Sequence, residues 1–390
     1  MSAKGPPRGA NSAPSGGSAA AEPQAWGDHN PRRDRIASTV RADVRALSRY
    51  EVADATDFIK LDAMEDPYAL PRELADELGV ALSRVPINRY PSGSGRVVKD
   101  ALRHALAIPD DAGILLGNGS DELIQIVTSA VGRPGAGVLA PDPSFVMYRR
   151  NALMAHAPFE AVPLRDDFSL DVEAMLAAIG RTRPGVVFLA YPNNPTGNLF
   201  DARDVERVIA ATPGLVVIDE AYYAYADASF LPRVLEFPNV VVIRTVSKIG
   251  MAGLRLGYAV AHPDWIDEFD KLRPPYNVGS LAQTAVTLLL ANADVFAQQA
   301  ASIRAERARL CATLAQLRVR AYPTQTNFVL VRVPDAPAAA AALRAARILV
   351  KDLHGSHPLL AQCLRITVGT PDENRALLDA LERHLTERPR

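Results

Sequence analysis

Two patterns of apolar and polar positions run along the chain. Between residues 113 and 245 the runs GILLG, GVLAP, GVVFLAY, GLVVIDE and NVVVIRT are almost continuously apolar and rich in β-branched residues, and each leads into polar turn residues and then a helical pattern. Strands apolar at every position are buried on both faces, as in a mostly parallel sheet covered by helices. The central segment is therefore predicted to be α/β. Upstream, DRIASTVRADVRALSRYEV spaces its apolar residues at helical intervals up to a turn near Tyr50, which predicts an arm or short helix. FIKLDAMEDPY reads as a strand closed by a proline turn, and PRELADELGVALSRV as a helix opened by proline. After Tyr276 a long Ala- and Leu-rich helix, a strand pair around 326–333, an Ala-rich helix and CLRITVG predict a smaller α+β domain. Residues 1–34, rich in Gly, Pro, Ser and Ala without periodicity, read as a disordered tail. The expected organisation is tail 1–34, arm and part of the small domain 35–80, large domain 81–278 and small C-terminal domain 279–390.

Composition narrows the function classes. Hydrophobic residues make up 48% and charged residues 22% of the 390, ordinary values for a globular chain with a core. With 43 Lys and Arg against 44 Asp and Glu the net charge is -1, so no positive surplus exists to attract a nucleic acid. The two cysteines, Cys311 and Cys363, form neither a disulfide framework nor a zinc pattern, and the expected compartment is the cytoplasm. No run approaches the roughly 18 apolar residues of a membrane span, and the N-terminus lacks the apolar core of a signal peptide. GNGSDE carries Glu122 where a dinucleotide fingerprint needs its third glycine, and no GxxxxGK[ST], HExxH or GxSxG occurs. His354 and His357 have no third ligand nearby in sequence, so no metal is expected.

Candidate chemistry gathers where the predicted strands end, in NGSDE, PNNPTG, DEAY, TVSK and the AGLRLGY that follows. Ligands of open α/β sheets collect at the carboxyl ends of strands, so distant segments can converge there. Gly119, Ser120 and Asp121 open a helix whose backbone N–H groups suit a dianionic phosphate. Ser247 adds a hydroxyl and Arg255 a fork of donors to the same anion. Lys248 is an amine able to attack a carbonyl. Asp219 can pair with a protonated ring nitrogen, and Asn194 and Tyr222 can bond a phenolic oxygen. Taken singly, a lysine is usually a surface residue, an aspartate a cap and an asparagine a turn former. Taken together, a phosphate, an aldehyde, a pyridine nitrogen and a phenolic oxygen describe pyridoxal 5′-phosphate.

The segments RYP, GNGSDE, YPNNPTG, DEAY, RTVSK, AGLRLGY and CLRITVGT resemble the fold-type I pyridoxal-phosphate aminotransferases, and among them the histidinol-phosphate branch, from about Tyr50 to about Asp379. The resemblance implies a mostly parallel central sheet covered by helices, a large cofactor-binding domain and a smaller α+β domain. It implies that Lys248 holds the cofactor covalently and moves the proton, with Asp219 at the pyridine nitrogen, Asn194 and Tyr222 at the phenolic oxygen and Phe145 against the ring. Ser120, Ser247 and Arg255 would bind the phosphate, and Tyr90 would reach it from the neighbouring subunit of a homodimer with shared sites. Arg365 would bind the substrate's anionic group, Tyr50 would close the pocket, and Lys351 stands where relatives have arginine. The implied partners are an amino donor and a 2-oxo acid. The implied reaction converts L-histidinol phosphate and 2-oxoglutarate to imidazole acetol phosphate and glutamate in histidine biosynthesis. An aromatic or broad-specificity aminotransferase, and a phospho-amino-acid decarboxylase, remain open on the same scaffold. The chain departs from ANENPYG in reading AMEDPYA, with Met64 and Asp66 for two asparagines, and its lysine-to-arginine interval, 248 to 255, is seven.

Overall fold

A computed structural model describes residues 30–49 and 54–386; Tyr50 and residues 1–29 lie outside them. The chain divides into two units, Met1–Ala53 and Asp54–Arg390. In the first, Asn30 caps the helix Pro31–Thr39 by accepting the N–H groups of Arg32 and Arg33, so the helix starts within the last residues of the segment read as a tail. A second helical turn follows at Ala42–Arg45.

The second unit contains two sheets. Its first strand is β1 (Ile59–Leu61), and then come β2 (Gly113–Gly117), β3 (Val138–Asp142), β4 (Phe159–Pro163), β5 (Val186–Ala190), β6 (Leu215–Asp219), β7 (Val240–Thr245) and β8 (Gly257–Ala261). Strands β2 to β8 form a seven-stranded sheet in the order β2-β8-β7-β6-β5-β3-β4. Pairings among β3, β4, β5, β6 and β7 are parallel, while β8 runs antiparallel to both β2 and β7. The remaining strands are β9 (Arg320–Ala321), β10 (Phe328–Arg332), β11 (Ile348–Asp352) and β12 (Cys363–Thr367). With β1 they form a five-stranded sheet ordered β1-β11-β12-β10-β9.

Every residue of β5, β6 and β7 is buried. Successive side chains of a strand point to opposite faces, so Val216 and Ile218 join one core while Leu215 and Val217 join the other. A third core lies where Phe328, Val329 and Val331 of the smaller sheet meet Leu310, Leu314, Leu377 and Leu381 of its helices. Each such side chain contributes about 1.5–3 kcal/mol on leaving water.

Two expectations are corrected. The strand expected through FIKLDAMEDPY pairs only over Ile59–Leu61, because the backbone then turns through a positive φ at Met64. The single long helix after Tyr276 is two helices, Ser280–Leu290 and Ala293–Gln316, bent by 77°. No single described helix is long and apolar enough to cross a membrane.

Candidate active site

Parallel strands present their carboxyl ends on one side of the sheet, and β3, β5, β6 and β7 lead there to Phe145, Asn194, Asp219 and Ser247–Lys248. They line one open cleft. Asp219, Tyr222, Asn194 and Phe145 line it, as do Ser120 and Asp121 from one helix start and Ser247, Lys248 and Arg255 from the loop after β7.

Asp219 ends β6 with 4% of its surface exposed. Its Oδ2 accepts the Tyr148 hydroxyl at 2.7 Å and its Oδ1 the Ala221 N–H at 3.2 Å. Burial raises the carboxyl to a pKa of about 6 against the opposing pull of these two donors. Tyr148 is 1% exposed, stacked on Phe188 at 4.6 Å and edge-on to Phe145 at 5.7 Å. Burial, and then the neighbouring Asp219, push its own ionisation far up, so its hydroxyl remains a donor. Sequence reasoning missed Tyr148, although it stands one helical turn beyond Phe145. Its partner is 71 residues away.

The turn after Asp219 is pinned by a second pair that the sequence did not reveal. Arg244 of β7 donates from Nε to Glu220 Oε2 at 2.9 Å, both side chains are buried, and its guanidinium lies 4.0 Å from the Tyr223 ring centre.

Two glycines shape the wall beside the helix Ser120–Val131, whose start no side chain caps. A Cβ on Gly119, which has a φ of 79°, would lie 2.6 Å from Arg255 Nη2, and one on Gly257 would lie 2.6 Å from the Ser120 nitrogen. Glycine at both places lets the guanidinium and the start of β8 close on the helix end. Arg255 Nη1 donates to Ser247 Oγ at 3.2 Å. A helix N-terminus, a hydroxyl and a guanidinium together make an anion cradle.

Lys248 is half-buried, and its Nζ donates to the Ala63 carbonyl at 3.1 Å. Burial, and then the charge of Arg365, lower its pKa to about 8. Asn194 Nδ2 donates to Tyr222 Oη at 3.1 Å, and Arg365 donates from Nη1 to Asn194 Oδ1 at 2.7 Å and from Nη2 to the Asp62 carbonyl at 3.0 Å. The Met64 carbonyl accepts Asn327 Nδ2 at 2.9 Å, so three consecutive carbonyls each hold a side chain of the site or its support.

Other expected residues stand apart. Lys351 is exposed, although it lies directly across from Arg365 between β11 and β12. Tyr90 is 80% exposed, stacks on Tyr276 at 4.6 Å and does not line the cleft. Tyr50 lies outside the described residues. His354 and His357 each accept a backbone N–H at Nδ1, from Gln362 and Leu359.

Comparison with known proteins identifies the family. The family of class I and II aminotransferases matches residues 56–381. The chain is 55% identical to the histidinol-phosphate aminotransferase of Chromobacterium violaceum over 89% of its own length and 98% of that protein's. It is 54% identical to histidinol-phosphate aminotransferase 1 of Burkholderia lata over 88% and 97% of the two lengths. Among solved structures, the histidinol-phosphate aminotransferase of Sinorhizobium meliloti in complex with pyridoxal-5′-phosphate superposes with a TM-score of 0.80 at 25% identity, covering 90% of this chain and 98% of that one. The expected fold and the resemblance both hold: the chain belongs to the class I and II aminotransferases.

Proposed function

We propose that this chain transfers the amino group of L-histidinol phosphate to 2-oxoglutarate, using pyridoxal 5′-phosphate held in the cleft. The observation that carries the reading is one cleft combining a lysine of lowered pKa, a buried carboxylate and a cradle for an anion. This donor set fits the cofactor. Gly119, Ser120 and Asp121 with Ser247 and Arg255 would take its phosphate, Asp219 its ring nitrogen, Asn194 and Tyr222 its phenolic oxygen, and Phe145 a ring face. The room reserved at Gly119 and Gly257 supports this fit. When bound, the cofactor supplies a carbonyl for the amine and a ring that takes up electrons from the substrate carbon.

The protein does the rest. Lys248, uncharged in a substantial fraction near pH 8, would attach the cofactor and carry the proton from the substrate carbon. Asp219 would hold the ring nitrogen protonated, and Tyr148 holds Asp219. Arg365, oriented by Asn194 and Asp62, offers two donors to a substrate anion, with Lys351 adding charge from the same sheet face. The names of the two relatives above support the phosphorylated donor. Exposed Tyr90 fits a homodimer in which it and Tyr50 complete the partner's site. We place the large domain at 81–278 and the smaller at 279–390 with part of 35–80, a division supported by β1 joining the five-stranded sheet. The cytoplasm is the proposed compartment.

A titration tests the reading. Purified protein is loaded with pyridoxal 5′-phosphate, and its visible spectrum is followed on adding histidinol phosphate or, separately, phenylalanine. A change with histidinol phosphate, reversed by 2-oxoglutarate, is expected. A change with phenylalanine alone would replace the donor by an aromatic amino acid, and release of carbon dioxide would make the chain a decarboxylase.

A further inference from the structure

Met64 lines the cleft, is 9% exposed, and has a φ of 54°. Methionine rarely takes this left-handed conformation, whereas asparagine visits it readily. The backbone is held there from both sides whatever the side chain is. The Met64 N–H donates to Thr367 Oγ1 at 3.0 Å and its carbonyl accepts Asn327 Nδ2 at 2.9 Å. A strained residue at a binding cleft points to a role for its side chain. The other non-aromatic apolar side chains on the wall, Ala190, Pro192 and Ala221, are short. Met64 is the one long, flexible and polarizable apolar group there, one residue from the carbonyl that holds Lys248.

We propose that Met64 is a specificity-determining residue, whose thioether forms the wall against which the flat ring of the amino donor packs. The proposal rests on the transamination reading above. Both half-reactions use one cleft, so the ring of the donor and the side-chain carboxylate of glutamate meet the same wall. A thioether attracts the face or edge of a ring, whereas a carboxylate gains nothing there and loses water.

Two variants test it. Met64→Asn relieves the backbone and removes the apolar wall, and Met64→Leu keeps an apolar wall and the strain. Met64 also packs in the apolar cluster of Leu61, Tyr222 and Phe328, so the readout is the ratio of kcat/KM for histidinol phosphate to that for glutamate, which a uniform loss of packing leaves unchanged. In Met64→Asn the ratio is expected to fall roughly two- to tenfold. Met64→Leu should hold the ratio within about twofold. An unchanged ratio in Met64→Asn, or an equal fall in Met64→Leu, would overturn the proposal. If the unaltered protein accepts phenylalanine but not histidinol phosphate, the donor assignment fails, and the same ratio read with phenylalanine still decides the role of Met64.

Discussion

Asp219 and Tyr148 make a hydrogen-bonded unit whose protonation would decide, in the proposed reaction, when the cleft can hold a protonated ring nitrogen. The carboxyl in the folded chain has a pKa of about 6, above its ordinary value, because burial disfavours the anion. Without cofactor, Asp219 therefore contributes stability that is complete below about pH 4 and lost as the pH rises through about 6. Pairing with a pyridinium has the opposite requirement, since only the anion serves. Affinity for pyridoxal 5′-phosphate should accordingly fall as the pH drops below about 6, measured by fluorescence titration. Tyr148→Phe deletes a hydrogen bond to a buried charge, worth about 1.5–3 kcal/mol, which raises the Asp219 carboxyl by about one to two pH units and lowers its ionised fraction at pH 7, so affinity there should fall roughly two- to tenfold. The pH at which binding fails should also move upward, because Tyr148 favours the anion. An unmoved midpoint would show that the hydroxyl does not tune Asp219. Lys248→Ala should abolish turnover while leaving the circular dichroism spectrum unchanged, since the amine is needed for chemistry and makes one fold contact, to Ala63. Substantial turnover would transfer its role to another lysine.

At the level of elements, legibility followed the chemistry of each segment. Strands β5, β6 and β7 could be read from sequence because they are unbroken apolar runs buried on both faces. Strand β4 was not read separately, since FEAVP carries a glutamate and ends on proline, as an edge strand permits. The site residues at strand ends were legible as types in order, and the cleft brings most of them together. What was not legible is the set of long-range pairings, Tyr148 to Asp219 and Arg244 to Glu220, which no local pattern encodes. The second pair joins β7 to the turn that carries Tyr222. Arg244→Ala leaves Glu220 charged and buried and should cost about 3–5 kcal/mol, seen as a lower thermal midpoint. The double variant Glu220→Gln with Arg244→Met should melt above the single one. If it melts lower, the hydrogen bonds that the Glu220 carboxylate accepts from Ser229 and Phe230 outweigh the relief of its unpaired charge.

Across the whole molecule, the cleft of one chain contains most but not all of the expected groups. Tyr90 stacks on Tyr276 at the surface, where it cannot serve its own chain's cleft. A two-fold dimer would supply it reciprocally. Mixed after subunit exchange, inactive Lys248→Ala and inactive Tyr90→Ala chains should recover part of the activity, because a hybrid contains one site with both residues. No recovery after verified exchange would show that each chain works with its own groups.

The three carbonyls of Asp62, Ala63 and Met64 make one short turn answer to two masters. They hold Arg365, Lys248 and Asn327, so any displacement of the turn disturbs the proposed substrate clamp and the proposed proton carrier together. Insertions or deletions there are consequently pleiotropic, changing KM and kcat in a single step. A side-chain exchange at Met64 leaves all three carbonyls in place. Selection for a new donor thus has a narrow route through this turn, open to one side chain and closed to the backbone that carries it.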